Sequence, residues 1–137
     1  MVWNKSYETG NVEVDNEHKQ LFTLVQKVID AAFTNREEKI EATMNFLADY
    51  TIKHFAHEER LMDESSYPET EIHKTQHKNF LADVGELWKR IKVENDTLKS
   101  SLDINRVVVD WLVEHVLGSD RLMAEHYRNW TSKQKKA

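Results

Sequence analysis

Apolar positions recur at helical spacing along most of this chain. From Asp15 to about Phe33 the inner stripe reads His18, Leu21, Phe22, Val25, Val28, Ile29 and Ala32. That is the i, i+3, i+4, i+7 pattern of an amphipathic helix. Asp15 fits an N-cap, with Glu17 in the first turn. A second stripe, from about Arg36 to Glu64, carries Ile40, Met44, Leu47, Thr51, His54, Glu58, Leu61 and Met62. Asn35 with Glu38 three residues later reads as its capping box. Pro68 allows one turn before a third stripe, from about Glu69 to Glu94, of His73, His77, Phe80, Val84, Leu87 and Ile91. Asn95 to Ser101 is a polar connection. Ser100 with Asp103 then caps a fourth helix with the stripe Ile104, Val108, Trp111, Leu112 and His115. After Gly118, Ser119 and Asp120, a final amphipathic segment carries Leu122, Met123, Tyr127 and Trp130. Residues 1–14 show no helical period: Val12 and Val14 alternate with polar residues, and Gly10 breaks the segment. They predict an extended arm across the bundle, anchored by Trp3 and Tyr7. Long helices with short connections predict an all-α fold, an up-down-up-down antiparallel four-helix bundle with that arm and a short C-terminal helix.

The topology turns single residues into a constellation. Neighbouring helices in such a bundle are antiparallel, so the start of the first, the end of the second, the start of the third and the end of the fourth meet at one end. His18, His54 with Glu58, His73 with His77, and His115 all fall there. His54 and Glu58 are four residues apart, as are His73 and His77, so each pair stacks on one helix face. The other half of each stripe is plainly apolar. A lone histidine such as His18 on an apolar stripe is compatible with ordinary core packing, and a single His-x-x-x-His arises easily by chance. The convergence of four separate positions on one end predicts a metal site of imidazoles and carboxylates. A buried carboxylate such as Glu58 needs compensation, from a metal or from a buried histidinium. Asp120 lies five residues after His115, off the same face of a regular helix. Either an irregularity at Gly118 swings it toward the cluster or it caps the final segment. His57, beside Glu58, reads as a supporting or surface residue, and His126 as exposed.

Composition narrows the classes. The chain has 137 residues, 39% hydrophobic and 31% charged, which suits one domain over residues 1–137. Gly 3 and Pro 1 leave few helix breakers. The net charge of -5 comes with no basic stripe, which argues against nucleic acid, and the Lys133–Lys136 run reads as a frayed, solvated tail. The lack of cysteine excludes disulfides, iron–sulfur clusters, thiolate zinc and a cysteine nucleophile. The first residues lack a signal-peptide core, and no apolar run reaches membrane-span length, so the expectation is a cytoplasmic protein with no membrane partner. Imidazole with carboxylate suits iron, manganese or zinc.

The motifs resemble those of the hemerythrins. The resemblance rests on His18 within Val14-Asp15-Asn16-Glu17-His18-Lys19-Gln20-Leu21-Phe22, on His54-Phe55-Ala56-His57-Glu58-Glu59, on His73-x-x-x-His77 and on His115-x-x-x-x-Asp120. It covers essentially the whole chain, and Trp3 and the length are similar to the bacterial, single-domain branch. It implies two iron ions in a non-haem centre: His73, His77 and His115 on one, His18 and His54 on the other, with Glu58, Asp120 and a solvent-derived oxygen between them. It also implies reversible dioxygen binding for storage, delivery or sensing, in a protein that is not an enzyme. Under that assignment, about eleven of the twelve positions of two six-coordinate metals are filled, and the vacancy falls on the two-histidine side. Ferritin-like di-iron enzymes use about four carboxylates and two histidines. The histidine-rich set here favours reversible binding over deeper oxidation of the iron. A dry apolar pocket is then required, and Phe22, Phe55, Phe80, Trp111 and Leu112 stand near the ligand positions to build it. The competing readings are a di-iron enzyme acting on peroxide or nitric oxide, and a sensor module signalling to a separate, unidentified protein partner.

Overall fold

A computed structural model describes residues 2–34, 37–93 and 97–136. Among these the chain forms helical rods and no strands. Helix α1 spans Val12–Thr34, α2 Glu37–Ser65 and α3 Thr70–Val93. A last rod is assembled from α4 (Thr97–Ile104), a π turn (Asn105–Val109), α5 (Asp110–His115), a second π turn (Val116–Asp120) and α6 (Arg121–Lys136). The junction residues Ile104, Asp110, His115, Val116 and Arg121 all keep right-handed helical angles, so the rod is not interrupted. The final segment is therefore a continuation of the fourth rod rather than a separate short helix. Lys133–Lys136 lies within α6, exposed but helical.

The arm is shorter than its sequence suggested. A 3-10 turn occupies Lys5–Tyr7 and helix α1 already begins at Val12. Asn11 is the cap: its Oδ1 accepts the Val14 N–H at 3.0 Å. Val14 is fully buried while Val12 is 74% exposed, because residues two apart face opposite ways on a helix and would share a face only in an extended arm. Asp15 does not cap. Its Oδ1 accepts from the Thr9 N–H at 2.9 Å and the Thr9 hydroxyl at 2.8 Å, tying the arm to α1. Gly10 sits at φ +92, a backbone conformation that favours glycine, and the Arg128 guanidinium packs against its open face. Trp3 and Tyr7 anchor the arm as expected, with ring centroids 5.2 and 4.9 Å from Phe22.

The other connections follow local chemistry. Helix α2 ends with Ser66 at φ 54, and the Tyr67 N–H reaches back to the Met62 carbonyl at 3.0 Å, a Schellman-type stop before Pro68. Asn35 and its capping box lie outside the described residues, as do residues 94–96 of the polar connection. Ser100 is no cap: it is buried inside α4, and Asp103 pairs with Arg106 at 3.3 Å.

Two apolar layers result. The large core includes Val25, Val28, Ala32, Ile40, Met44, Leu87, Ile91 and Ile104. A smaller one joins Val14, Leu61, Met62 and Met123. Leu122, placed on the inner stripe by its sequence, is 59% exposed, because the π turn shifts the register of everything after it. The polar cluster lies between the two apolar layers.

Candidate metal centre

Each rod contributes its polar residues at the same level. His18 comes from the second turn of α1, His54 and Glu58 from late α2, His73 and His77 from early α3, and His115 from the end of α5. The α2–α3 hairpin brings the two i, i+4 pairs face to face. Asp120 arrives by the second π turn. A π turn makes i→i+5 bonds, which returns the fifth residue to the face of the first. The irregularity at 116–120 thus places Asp120 and His115 together, with Oδ1 to Nε2 at 3.0 Å. Gly118 is not its steric cause: its φ is ordinary, and an added Cβ would meet nothing within 4 Å.

All five histidines present Nε2 inward, and each carboxylate reaches two sets of them. Glu58 Oε2 stands 3.4 Å from His18 and 3.2 Å from His54, while Oε1 stands 3.1 Å from His77 and 3.7 Å from His73. Asp120 repeats this, with Oδ2 3.0 Å from His18 and Oδ1 3.0 Å from both His73 and His115. Two potential ligand groups follow: Glu58, His73, His77, His115 and Asp120, and His18, His54, Glu58 and Asp120. They share the two carboxylates.

The fit to metal ions can be tested on these atoms. Within each group the ligand atoms lie within 4.8 Å of one another. Ligands on opposite sides of an ion at about 2.1 Å stand about 4.2 Å apart, so each group has the span of one coordination shell. His18 Nε2, His54 Nε2 and both Glu58 oxygens are buried and make no hydrogen bond among the described residues. Leaving such atoms unsatisfied costs about 1–3 kcal/mol each, more when charged. They converge on common points without pairing with one another, whereas His77 Nε2 and His115 Nε2 are hydrogen-bonded to each other at 3.2 Å. Imidazole and carboxylate donors arranged this way fit borderline divalent metals.

The electrostatics agree. Glu58 and Asp120 are fully buried, which opposes their ionisation, yet the surrounding imidazoles hold both carboxyls well below the usual range. Burial likewise opposes charge on the histidines, and the adjacent carboxylates outweigh it. His18 and His73 are raised to about 9 and His54 to about 10. Without metal, protons on imidazole neutralise the carboxylates; metal ions would take over that role.

Around this centre stands a shell that sequence reasoning only partly found. Phe55 stacks on His77 at 3.7 Å and 4°, and Trp111 on His115 at 4.3 Å and 13°. Phe55, Phe80 and Leu112, with Leu21, Val25, Leu47, Thr51 and Val108, line a cavity of about 10 Å³, the lower limit for holding a single water. Phe22 and Trp111 do not line it; Phe22 packs on the arm, and Trp111 is half-buried against Phe80 and His115. His57 stays outside both ligand groups and bonds Glu17. His126, expected exposed, is half-buried and donates to the Ser65 carbonyl at 2.9 Å. The residues missed are Glu17 and Glu59, which bond His54 Nδ1 at 2.6 Å and His77 Nδ1 at 2.9 Å. Their one signal was adjacency, Glu17 to His18 and Glu59 to Glu58.

The family profile described as Hemerythrin HHE cation binding domain matches residues 9–127. The chain belongs to the hemerythrin family. It is 31% identical over 123 residues to a bacteriohemerythrin of Methylococcus capsulatus, covering 89% of this chain and 92% of that one. It is 29% identical over 120 residues to a bacteriohemerythrin of Pseudomonas aeruginosa, covering 88% and 76%. It is 32% identical over 121 residues to myohemerythrin-1 of Phascolopsis gouldii, covering 87% of each. Hemerythrins are oxygen-binding proteins, and a hemerythrin domain binds a di-iron centre. No helix among the described residues is long and apolar enough to cross a membrane.

Proposed function

We propose that this protein binds dioxygen reversibly at two iron ions held by the buried cluster. His73, His77 and His115 would hold one ion, His18 and His54 the other, and Glu58 and Asp120 would bridge them. The observation that carries this reading is the splitting of each carboxylate, with one oxygen toward each histidine set. When bound, the iron pair would supply the reversible dioxygen binding.

The chain's own residues set the terms of that chemistry. Two carboxylates and five neutral imidazoles around two divalent ions would leave a cationic site, in contrast to the carboxylate-rich di-iron enzymes. The Val14, Leu61, Met62 and Met123 layer closes one side of the cluster. The layer of Leu21, Phe55, Phe80 and Leu112 closes the other and leaves the small apolar cavity. Both exclude water, which protects the metal from irreversible oxidation. This composition favours a carrier, store or sensor over an enzyme.

Anaerobic loading with iron(II), followed by cycles of air and vacuum, tests the proposal. Two irons per chain, with a visible absorption that appears in oxygen and leaves under vacuum, is the expected result. Two irons that oxidise once and never return would overturn reversible binding in favour of an enzyme or redox sensor. No iron uptake would overturn the metal assignment.

A further inference from the structure

The outer nitrogens of the histidines are not treated alike. His18 Nδ1 and His73 Nδ1 are buried without a hydrogen-bond partner among the described residues. His54 Nδ1, in contrast, lies 2.6 Å from Glu17 Oε1, and the other oxygen of Glu17 lies 2.7 Å from His57 Nδ1. His57 is outside the cluster, and its own Nε2 is 3.6 Å from Glu13 at the surface. A single carboxylate therefore joins a cluster histidine to a rim histidine. Glu17 precedes His18 in α1, so one turn of α1 serves the two-histidine side twice.

Resting on the di-iron reading, we infer that Glu17 is a positioning residue for the iron on the two-histidine side, acting through His54. An ionised carboxylate only accepts hydrogen bonds, so both Nδ1 atoms facing Glu17 carry the protons. Once a metal replaces the proton on Nε2, this leaves His54 as the tautomer whose Nε2 lone pair would face the ion; without metal that atom stands 3.2 Å from Glu58 Oε2. The carboxylate also makes the imidazole a stronger donor. His57 holds the second oxygen and so keeps the Glu17 carboxylate oriented. His77 receives the same support from Glu59 on the three-histidine side, but among the described residues Glu59 bonds no second histidine. The two sides are thus tuned by separate carboxylates, and the side with fewer protein ligands has the more constrained one.

Carboxylates that orient metal-bound histidines are worth about 10- to 100-fold in metal affinity. The test is anaerobic iron(II) titration against a competing chelator, resolving the two binding steps. Glu17→Gln keeps the shape but presents an amide N–H to one of two N–H donors, so it should weaken one step by about 10-fold. Glu17→Ala should weaken the same step by up to about 100-fold and leave the other within about 2-fold. His57→Ala should have a smaller effect on that same step. On a His54→Ala background neither Glu17 substitution should weaken the remaining iron further, because the route through His54 is gone. Wild-type affinity for both irons in Glu17→Gln and Glu17→Ala would overturn the inference. So would equal weakening of both steps that persists in the His54→Ala background, since that is general structural damage. Should Glu17→Ala lose its helical circular dichroism, the near-isosteric Glu17→Gln decides alone. If the wild-type chain itself takes up fewer than two irons, the di-iron reading has failed, and this inference falls with it.

Discussion

The two halves of the bundle use the same rods and the same close packing, but bury opposite kinds of side chain. The half away from the cluster holds Val28, Ala32, Ile40, Met44, Leu87, Ile91 and Ile104, all apolar and buried. Each favours folding by roughly 1.5–3 kcal/mol for the larger side chains, whatever the pH or metal content. The other half buries His18, His54, Glu58, His73, His77, His115 and Asp120, none more than 6% exposed. Burying two ionised carboxylates there opposes folding unless cations stand beside them. Stability is thus unconditional in one half and conditional in the other. The condition is met by protons in the metal-free protein and by metal ions in the loaded one.

Removing a shared carboxylate should give the largest effect on this contrast. Glu58→Ala deletes the group that reaches both histidine sets, so paired iron binding should be lost. Iron per chain, measured after desalting, should fall from two to one or none. Normal loading of two irons would refute a bridging role for Glu58.

Metal removal should expose the conditional half through its pH dependence. His18 and His73 at about 9 and His54 at about 10 lie above the unfolded value of 6.5. Their contribution is fully present below pH 6.5 and is lost as the pH rises through 9 to 10. Glu58 and Asp120 are depressed below 4.5 and 3.8, so theirs is present above those values and is lost as the pH falls below them. The metal-free protein should therefore be most stable between about pH 4.5 and 6.5 and lose several kcal/mol toward pH 10. Iron-loaded protein, whose imidazoles are already neutral, should lack the alkaline loss. Urea midpoints at pH 6, 7.5 and 9 on both forms check this. A flat metal-free profile would mean the histidines are neutral in the folded state.

A matched pair of leucines separates packing from function. Leu87, fully buried away from the cluster, and Leu112, 4% exposed beside the small cavity, should each cost about 2–5 kcal/mol when cut to alanine. Only Leu112→Ala should also speed autoxidation of the loaded protein, because it opens the apolar layer under the iron. Equal autoxidation rates in the two variants would remove Leu112 from the pocket.

The same contrast explains what the amino-acid order made legible. His54 with Glu58 and His73 with His77 could be placed because an i, i+4 pair needs only a regular helix and an antiparallel neighbour. Asp120 could be read only as a conflict between spacing and chemistry, and the π turn at 116–120 resolves it. Asp15 was misplaced as a cap, since both it and Asn11 suit that role and only the packing of Thr9 decides between them. Glu17 and Glu59 were not legible as histidine partners, because their contacts cross between helices and depend on side-chain reach rather than on periodicity. Phe22 and Trp111 share a stripe with residues that line the cavity. Which ring faces it depends on the arm and on the stacked Phe80–Trp111 pair.

The smallest predicted effect asks whether burial or mere location makes the cluster half conditional. Lys74 and Asp63 form an ion pair at 3.0 Å that closes the α2–α3 hairpin, one residue along the chain from His73. Their side chains are 32% and 59% exposed. If proximity to the centre were what mattered, breaking this pair would disturb iron binding. If desolvation is what matters, water already screens both charges, and Asp63→Asn should cost under about 1 kcal/mol. Raising the salt should erase most of that difference, since exposed pairs are screened over about 8–10 Å at 0.1–0.15 M. Iron content should stay at the wild-type level. A loss of iron in Asp63→Asn would show that the hairpin, and not only the buried carboxylates, sets the geometry of the centre, and would shift the boundary of the conditional half out to the protein surface.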